Sequence, residues 1–295
     1  MNKALEVKDL VVRYGSTTAV DGVSLSVEPG RCHALFGRNG AGKTTLLKCA
    51  LGLLPPSNGR VRVLGLDPSA DDAAVKAKVA FVPDGPAFYP WMSVRDVLDY
   101  DASFRPHWSR DVEVQLLEKF GLDPSAPAST LSRGQRTQLA LTAAVAADPD
   151  ILVLDEPTSG LDPLVRRQFL EAVIGAFQDR HPERKTLIVS THLIQEFEGI
   201  VDEFSVLANG RLALSMNADA ARERFGRLRA WFDADAPAEL PFKAFQPPRR
   251  TGRTLEVLVD GGVEAARLAL AGLGATRVEA SALTLEDIFF ATGCP

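Results

Sequence analysis

The nine residues Gly37-Arg38-Asn39-Gly40-Ala41-Gly42-Lys43-Thr44-Thr45 constrain this chain more than any other stretch. They follow the apolar run Ala34-Leu35-Phe36 and open a helical run from Leu46 to Leu54, so the order is strand, glycine-rich loop, helix. In that context the spacing G-x-x-x-x-G-K-[ST] describes a phosphate cradle. The glycines let the backbone turn its N–H groups toward anionic oxygens, and the helix N-terminus adds partial positive charge. Lys43 can reach the β- and γ-phosphates of a nucleotide, and Thr44 can give an oxygen to Mg²⁺. A plain strand-to-helix turn would use the glycines but has no use for the Lys43-Thr44 pair.

With 295 residues the chain has room for one large domain or two modest ones. Its hydrophobic content of 46% and charged content of 24% are those of a globular protein. The longest apolar-looking run, Leu139 to Ala147, is interrupted by Thr142 and falls far short of the roughly 18 residues that cross a bilayer. No transmembrane helix is expected. Met1 to Glu6 lacks the apolar segment of a secretory signal, so the chain is expected to stay in the cytoplasm. Cys32, Cys49 and Cys294 are odd in number and far apart, as reduced thiols are. Histidines at 33, 107, 181 and 192 are too scattered for a metal cluster. A net charge of −5 and a pI near 5.5 exclude a general nucleic-acid binder.

Short strands are predicted at Leu5-Glu6-Val7, Leu10-Val11-Val12 and Val23 to Val27, with Tyr14 between them as either an adenine-stacking ring or an ordinary strand-end tyrosine. After the loop helix come a strand at Arg60 to Leu64, a short helix at Ala73 to Lys78 and a buried strand at Val79 to Val82. The segment Phe88-Tyr89-Pro90-Trp91 is aromatic and proline-broken, suited to a partner surface or to capping a local core. Val112, Leu116 and Phe120 mark an amphipathic helix ending at Gly121. Ser132 and Gln135 then fit a capping box at the start of a long helix, and the same helix start could face an anion.

Ile151-Leu152-Val153-Leu154 reads as a strand buried on both faces, and Asp155 and Glu156 emerge at its carboxyl end, where open α/β sheets bind ligands. Asp155 could hold Mg²⁺ and Glu156 could deprotonate a water; carboxylates that cap the next turn are the plainer reading, which explains one acid better than two. A crossover helix follows at Val165, Phe169, Val173 and Phe177, then a core strand, Thr186 to Ser190, ending in Thr191-His192. His192 is a γ-phosphate sensor candidate or an ordinary histidine. The sheet pattern lapses from Arg211 to Phe225, and a smaller unit follows, with strands at Leu228 to Phe232, Leu255 to Val259 and Thr276 to Glu279 and a helix at Val263 to Ala271. Arg249, Arg250 and Arg253 form a solvated loop or meet an acidic partner.

In order, the phosphate loop, Leu131-Ser132-Arg133-Gly134-Gln135, Asp155-Glu156 twenty residues beyond Gln135, Ser159-Gly160-Leu161-Asp162 and Ser190-Thr191-His192 resemble the nucleotide-binding subunit of ATP-binding cassette (ABC) transporters. The Leu-Ser-x-Gly-Gln element just before the acidic strand separates that family from other phosphate-loop NTPases. The resemblance covers about Leu5 to Ala213 and implies an α/β phosphate-loop NTPase fold: a mainly parallel core sheet, an N-terminal antiparallel β subdomain and a helical subdomain at about 86–148. It sets the ATPase domain at 1–215 and a small α+β accessory domain at 216–295. Leu283-Thr284-Leu285-Glu286-Asp287-Ile288-Phe289 further resembles the ending of cassettes that serve ABC-2 type exporters.

The resemblance implies that Tyr14 stacks on adenine and that Gly37, Asn39, Gly40, Ala41, Gly42, Lys43, Thr44 and Thr45 hold ATP. Thr44, Asp84 and Asp155 would serve Mg²⁺, Glu156 would be the general base, and His192 would contact the γ-phosphate. Two cassettes, identical or sister chains, would close head to tail so that Ser132, Gly134 and Gln135 of one complete the other's site. A separately encoded membrane permease is the implied partner, with this chain peripheral on the inner face of the cell membrane. Two positions depart from the family pattern. Asp84 stands where a glutamine is usual, and Arg133 stands where glycine is common and is expected to face away from the phosphates. The competing class is a soluble ABC ATPase of translation or DNA maintenance, whose members carry paired cassettes, coiled-coil insertions or zinc modules.

Overall fold

The structure is a computed structural model that describes residues 2–178 and 183–292; His181 and Cys294 lie outside the described residues. The first strand, β1 (Leu5–Tyr14), pairs antiparallel with β2 (Thr17–Val27). The two short strands expected at residues 5–7 and 10–12 are one strand, bent where Asp9 takes φ +47° and the register shifts between Val7 and Leu10. Strand β3 (Cys32–Phe36) is buried at every residue and feeds the phosphate loop. Helix α1 (Lys43–Ala50) ends earlier than the apolar run to Leu54 suggested. Strand β4 (Asn58–Val63) pairs with the other side of β1, completing a three-stranded antiparallel sheet.

Helix α2 (Asp72–Lys76) and strand β5 (Val79–Val82) lead to three helices, α3 (Val94–Ala102), α4 (Arg110–Phe120) and α5 (Arg133–Ala146). Each has a local reason to start or stop. Ser93 and Asp96 form a capping box on α3, Gly121 ends α4 in the left-handed conformation, and Ser132 and Gln135 form the expected capping box on α5. Strand β6 (Ile151–Asp155) is buried throughout. Asp162 caps α6 (Pro163–Val173), with Pro163 at its first position, and the helix runs on into a π-helical turn at Ile174–Gln178. Strand β7 (Thr186–Thr191) is also wholly buried, as a central parallel strand covered on both faces must be.

Helix α7 (Ile194–Phe197), strands β8 (Glu203–Ala208) and β9 (Arg211–Asn217) and helix α8 (Ala218–Arg224) follow. Where the sheet pattern was expected to lapse, residues 211–217 form the edge strand of the main sheet, whose order is β5-β6-β7-β3-β8-β9. The pairs β5–β6, β6–β7 and β3–β7 are all parallel. The remaining elements are β10 (Phe225–Phe232), β11 (Arg249–Thr251), β12 (Thr254–Asp260), α9 (Val263–Gly272), β13 (Ala275–Ala282) and α10 (Leu285–Ala291). Their strands form an antiparallel sheet in the order β11-β12-β10-β13.

Contacts divide the chain into two units, one of Met1–Leu193 with Ser205–Ala213, the other of Ile194–Phe204 with Leu214–Pro295. Each has its own apolar core, the first built from Leu5, Val23, Leu46 and Ile151 among others, the second from Leu228, Leu255, Val257 and Leu270. Among the described residues no helix is long and apolar enough to cross a membrane.

Candidate functional site

Three neighbouring parallel strands end side by side. Register sets Asp155 beside Ser190 and Phe36 beside Thr191, so the phosphate loop, Glu156 and His192 leave the same carboxyl edge of the sheet. Residues more than 100 positions apart in the chain are thereby neighbours, and all of them lie in the first unit.

The loop keeps its shape through backbone contacts. Ala41 N–H donates to the Arg38 carbonyl at 3.1 Å, and Leu46 N–H donates to the Gly42 carbonyl at 2.9 Å, which starts α1. Gly42 has φ +102°, and a Cβ there would stand 2.5 Å from the Ala19 carbonyl oxygen. Glycine is therefore required on two counts, conformation and clearance.

Lys43, the first residue of α1, is buried at 5% exposure. Its Nζ donates to the carbonyls of Gly37 (2.6 Å) and Arg38 (3.2 Å) and lies 2.8 Å from Glu156 Oε1. The Thr44 hydroxyl donates to Asp155 Oδ2 at 2.7 Å, and the Ser190 hydroxyl donates to Asp155 Oδ1. Asp155 is buried, so both of its oxygens are satisfied by hydroxyls rather than by water.

Glu156 takes φ +48°, rare for a side chain of its size, and its N–H donates to the Ser190 carbonyl at 2.8 Å. Glu156 Oε2 lies 2.7 Å from His192 Nδ1 and accepts the His192 backbone N–H at 3.3 Å. Adjacent acids thus have separate surroundings: Asp155 meets two hydroxyls, while Glu156 bridges a lysine and a histidine.

A second group stands at the start of α5. Ser132 Oγ accepts the Gln135 N–H at 3.2 Å, and Gln135 Oε1 accepts the Ser132 N–H at 2.9 Å. A Cβ built on Gly134 would stand at ordinary contact distance, 3.5 Å, from Leu161 and Val165. Arg133, expected to face away from the phosphates, donates from Nη2 to Asp84 Oδ1 at 2.9 Å. Planar guanidinium and carboxylate geometry make that pairing favourable, which one-dimensional spacing could not reveal. Tyr14 ends β1 with its ring half-exposed. No hydrogen bond joins Tyr14 or the Ser132-to-Gln135 turn to Lys43, Asp155, Glu156 or His192 among the described residues. Ser190 is the participant that sequence reasoning gave no role, and only the order of the strands sets it beside Asp155.

The oxygens of Thr44 and Asp155 suit Mg²⁺, which takes one or two protein ligands and fills its octahedron with water and substrate phosphate. Among the described residues no group of three or more His, Cys, Asp or Glu could hold a metal unaided. The donor set therefore fits a cation that arrives with a nucleotide.

The ABC transporter family model matches residues 20–159. The chain is 32% identical over 229 residues to the bacitracin transport ATP-binding protein of Enterococcus faecalis, in a match spanning 76% of this chain and 72% of that relative. This chain belongs to the ABC transporter family. To the Nod factor export ATP-binding protein I of Ralstonia nicotianae it is 35% identical, over 70% of this chain and 65% of that protein. A solved ATP-binding subunit of an ABC transporter shares the fold with a TM-score of 0.67 and 28% identity, covering 74% of this chain and 92% of that one. As an ABC ATPase the chain binds ATP, and the expected α/β fold with a mainly parallel sheet is borne out.

Proposed function

We propose that this ABC ATPase powers an exporter through a separate membrane permease, with MgATP held between two cassettes. The observation that carries the reading is the convergence of Lys43, Thr44, Asp155, Glu156 and His192 at one sheet edge. Lys43 and the loop N–H groups would hold the phosphates, Thr44 and Asp155 would hold Mg²⁺, and Ser190 would orient Asp155. Mg²⁺, when bound with the nucleotide, would supply neutralisation of the phosphate charge. The triphosphate, more highly charged than a carboxylate, would draw Lys43 away from Glu156. Glu156, still held by His192, would then be released to take the proton of the water that attacks the γ-phosphate. ADP and inorganic phosphate leave, and the proton passes on with the phosphate. His192 would keep the base oriented and sense the γ-phosphate; Asp84 would be a further oxygen ligand, and Tyr14 a platform for adenine.

Ser132, Gly134 and Gln135 would complete the site of a second cassette, identical or sister. Support comes from the α5 N-terminus, a 14-residue helix whose capping box leaves a hydroxyl and backbone N–H groups at a positive helix end. The export assignment draws on relatives named for bacitracin transport and Nod factor export, and on the Leu283–Phe289 motif. That motif folds as a capped helix, with Thr284 and Asp287 as its capping box. Residues 216–295 would be the accessory domain of the ABC-2 type, and the chain would sit at the inner membrane face. The exposed Tyr89 and Trp91, stacked at 4.8 Å, would meet the permease.

The test is to capture the tagged chain from membranes in mild detergent, with and without ATP. Co-purification of a polytopic protein in stoichiometric amount is the expected result. Recovery of ribosomes or DNA-maintenance factors instead would overturn the transport assignment.

A further inference from the structure

The motif Leu283–Phe289 grips the segment that follows His192. Its apolar residues Leu285, Ile288 and Phe289 fall at helical spacing and are buried in α10, and Asp287 accepts from Arg227 of β10 at 2.7 Å. The Thr284 hydroxyl accepts the Asp287 N–H, which leaves the Leu285 N–H without a partner inside the helix. Glu198 supplies one: its Oε1 accepts that N–H at 2.9 Å, from 87 positions away in the chain. Close by in sequence, Gln195 Nε2 donates to Glu286 Oε2, and Arg222 of α8 donates to the Glu198 carbonyl at 2.9 Å. Helix α7 and the residue after it are thereby tied to α10 and α8, all within the second unit.

We infer that Glu198 is a positioning residue for His192, and that α10 sets through it how firmly the histidine meets Glu156. This rests on the ATP site proposed above. Strand β7 ends at Thr191 and α7 starts at Ile194, so only His192 and Leu193 lie between two held elements. A link of two residues reaches at most about 7 Å, too short to absorb a displacement of α7. The Leu193 N–H is taken by the Thr191 hydroxyl at 2.9 Å, which tightens the turn further. Whatever moves α7 therefore moves His192, whose Nδ1 stands 2.7 Å from Glu156 Oε2. Glu198 acts through the backbone of α7, and the motif at the end of the chain gains a hold on the hydrolytic site.

The test uses the full chain with ¹³C-labelled histidine rings and reads the His192 signal, assigned by its loss in H192A, beside kcat and KM for MgATP. E198A is expected to move that signal toward its position in E156A and to lower kcat about fivefold, the scale of one hydrogen bond, with KM unchanged. E198Q keeps an acceptor oxygen and retains both parental readings. Q195A loses only the exposed contact to Glu286 and gives a smaller shift in the same direction, which decides the matter should E198A not fold. An unmoved His192 signal in E198A, or in Q195A where E198A does not fold, overturns the inference at any rate of hydrolysis and leaves the ATP site standing. Parental kcat in H192A overturns the role of His192 at that site, and this inference with it.

Discussion

Lys43 Nζ lies 2.8 Å from Glu156 Oε1, and both side chains are nearly buried, at 5% and 10% exposure. The cation that should hold phosphate and the acid that should activate water neutralise one another. Removing either alone leaves an uncompensated charge in a dry place.

K43M is therefore expected to cost about 3 kcal/mol of stability, the scale of a broken buried pair. Nucleotide affinity falls with it. Combining K43M with E156Q should restore part of the stability and none of the binding. Urea unfolding and nucleotide titration read the two effects separately; strictly additive stability losses would show that the two residues are not coupled.

E156Q by itself keeps the shape and loses the base. Hydrolysis should drop by roughly 10²–10⁴-fold while nucleotide is retained. Single-turnover phosphate release is the measurement, and a rate within a few-fold of the parent would remove Glu156 from the role of base.

Ser190 touches no phosphate in the proposed mechanism, yet its hydroxyl donates to buried Asp155. S190A should lower stability by about 1–3 kcal/mol, as expected for a lost hydrogen bond to a charged group. It should also raise the Mg²⁺ concentration needed for nucleotide binding. Loss of stability with an unaltered Mg²⁺ requirement would confine Ser190 to packing.

Cys49 lies in α1, where burial pushes its thiol up to about 11 from 9.0. The folded state keeps the proton that the unfolded chain releases, so this contribution is complete below pH 9.0 and is lost as pH rises toward about 11. At pH 8 the thiol should resist alkylation in the folded protein and react in urea, followed on the Cys49 peptide by mass spectrometry. C49A should lose less stability than the parent between pH 9 and 11. Rapid alkylation of native protein would contradict the burial.

Much of the site was legible because its signals are local. The phosphate loop, the capping box of Ser132 and Gln135, the left-handed stop at Gly121 and the apolar strand before Asp155 each depend on a few consecutive residues. Hydrogen-bonding geometry over that span is dictated by the residues themselves. Boundaries were less legible: α1 stops at Ala50 although apolar residues continue to Leu54, because periodicity does not say where a backbone hydrogen bond is last made. The edge strand at 211–217 was missed for a related reason. Its burial alternates only between exposed and half-buried, so its apolar signal is weak.

By itself the sequence determined that a strand leads into a phosphate cradle, that a second strand delivers two carboxylates, and that a third ends in a histidine. It could not determine which strands are neighbours. The order β6-β7-β3 brings Lys43, Asp155, Glu156, Ser190 and His192 together, and it comes from parallel pairing across crossovers of tens of residues. The bridge from Arg133 to Asp84 likewise depends on how two loops approach. Such contacts arise when apolar faces choose partners during packing, a choice made by the whole core and not by any short stretch of chain.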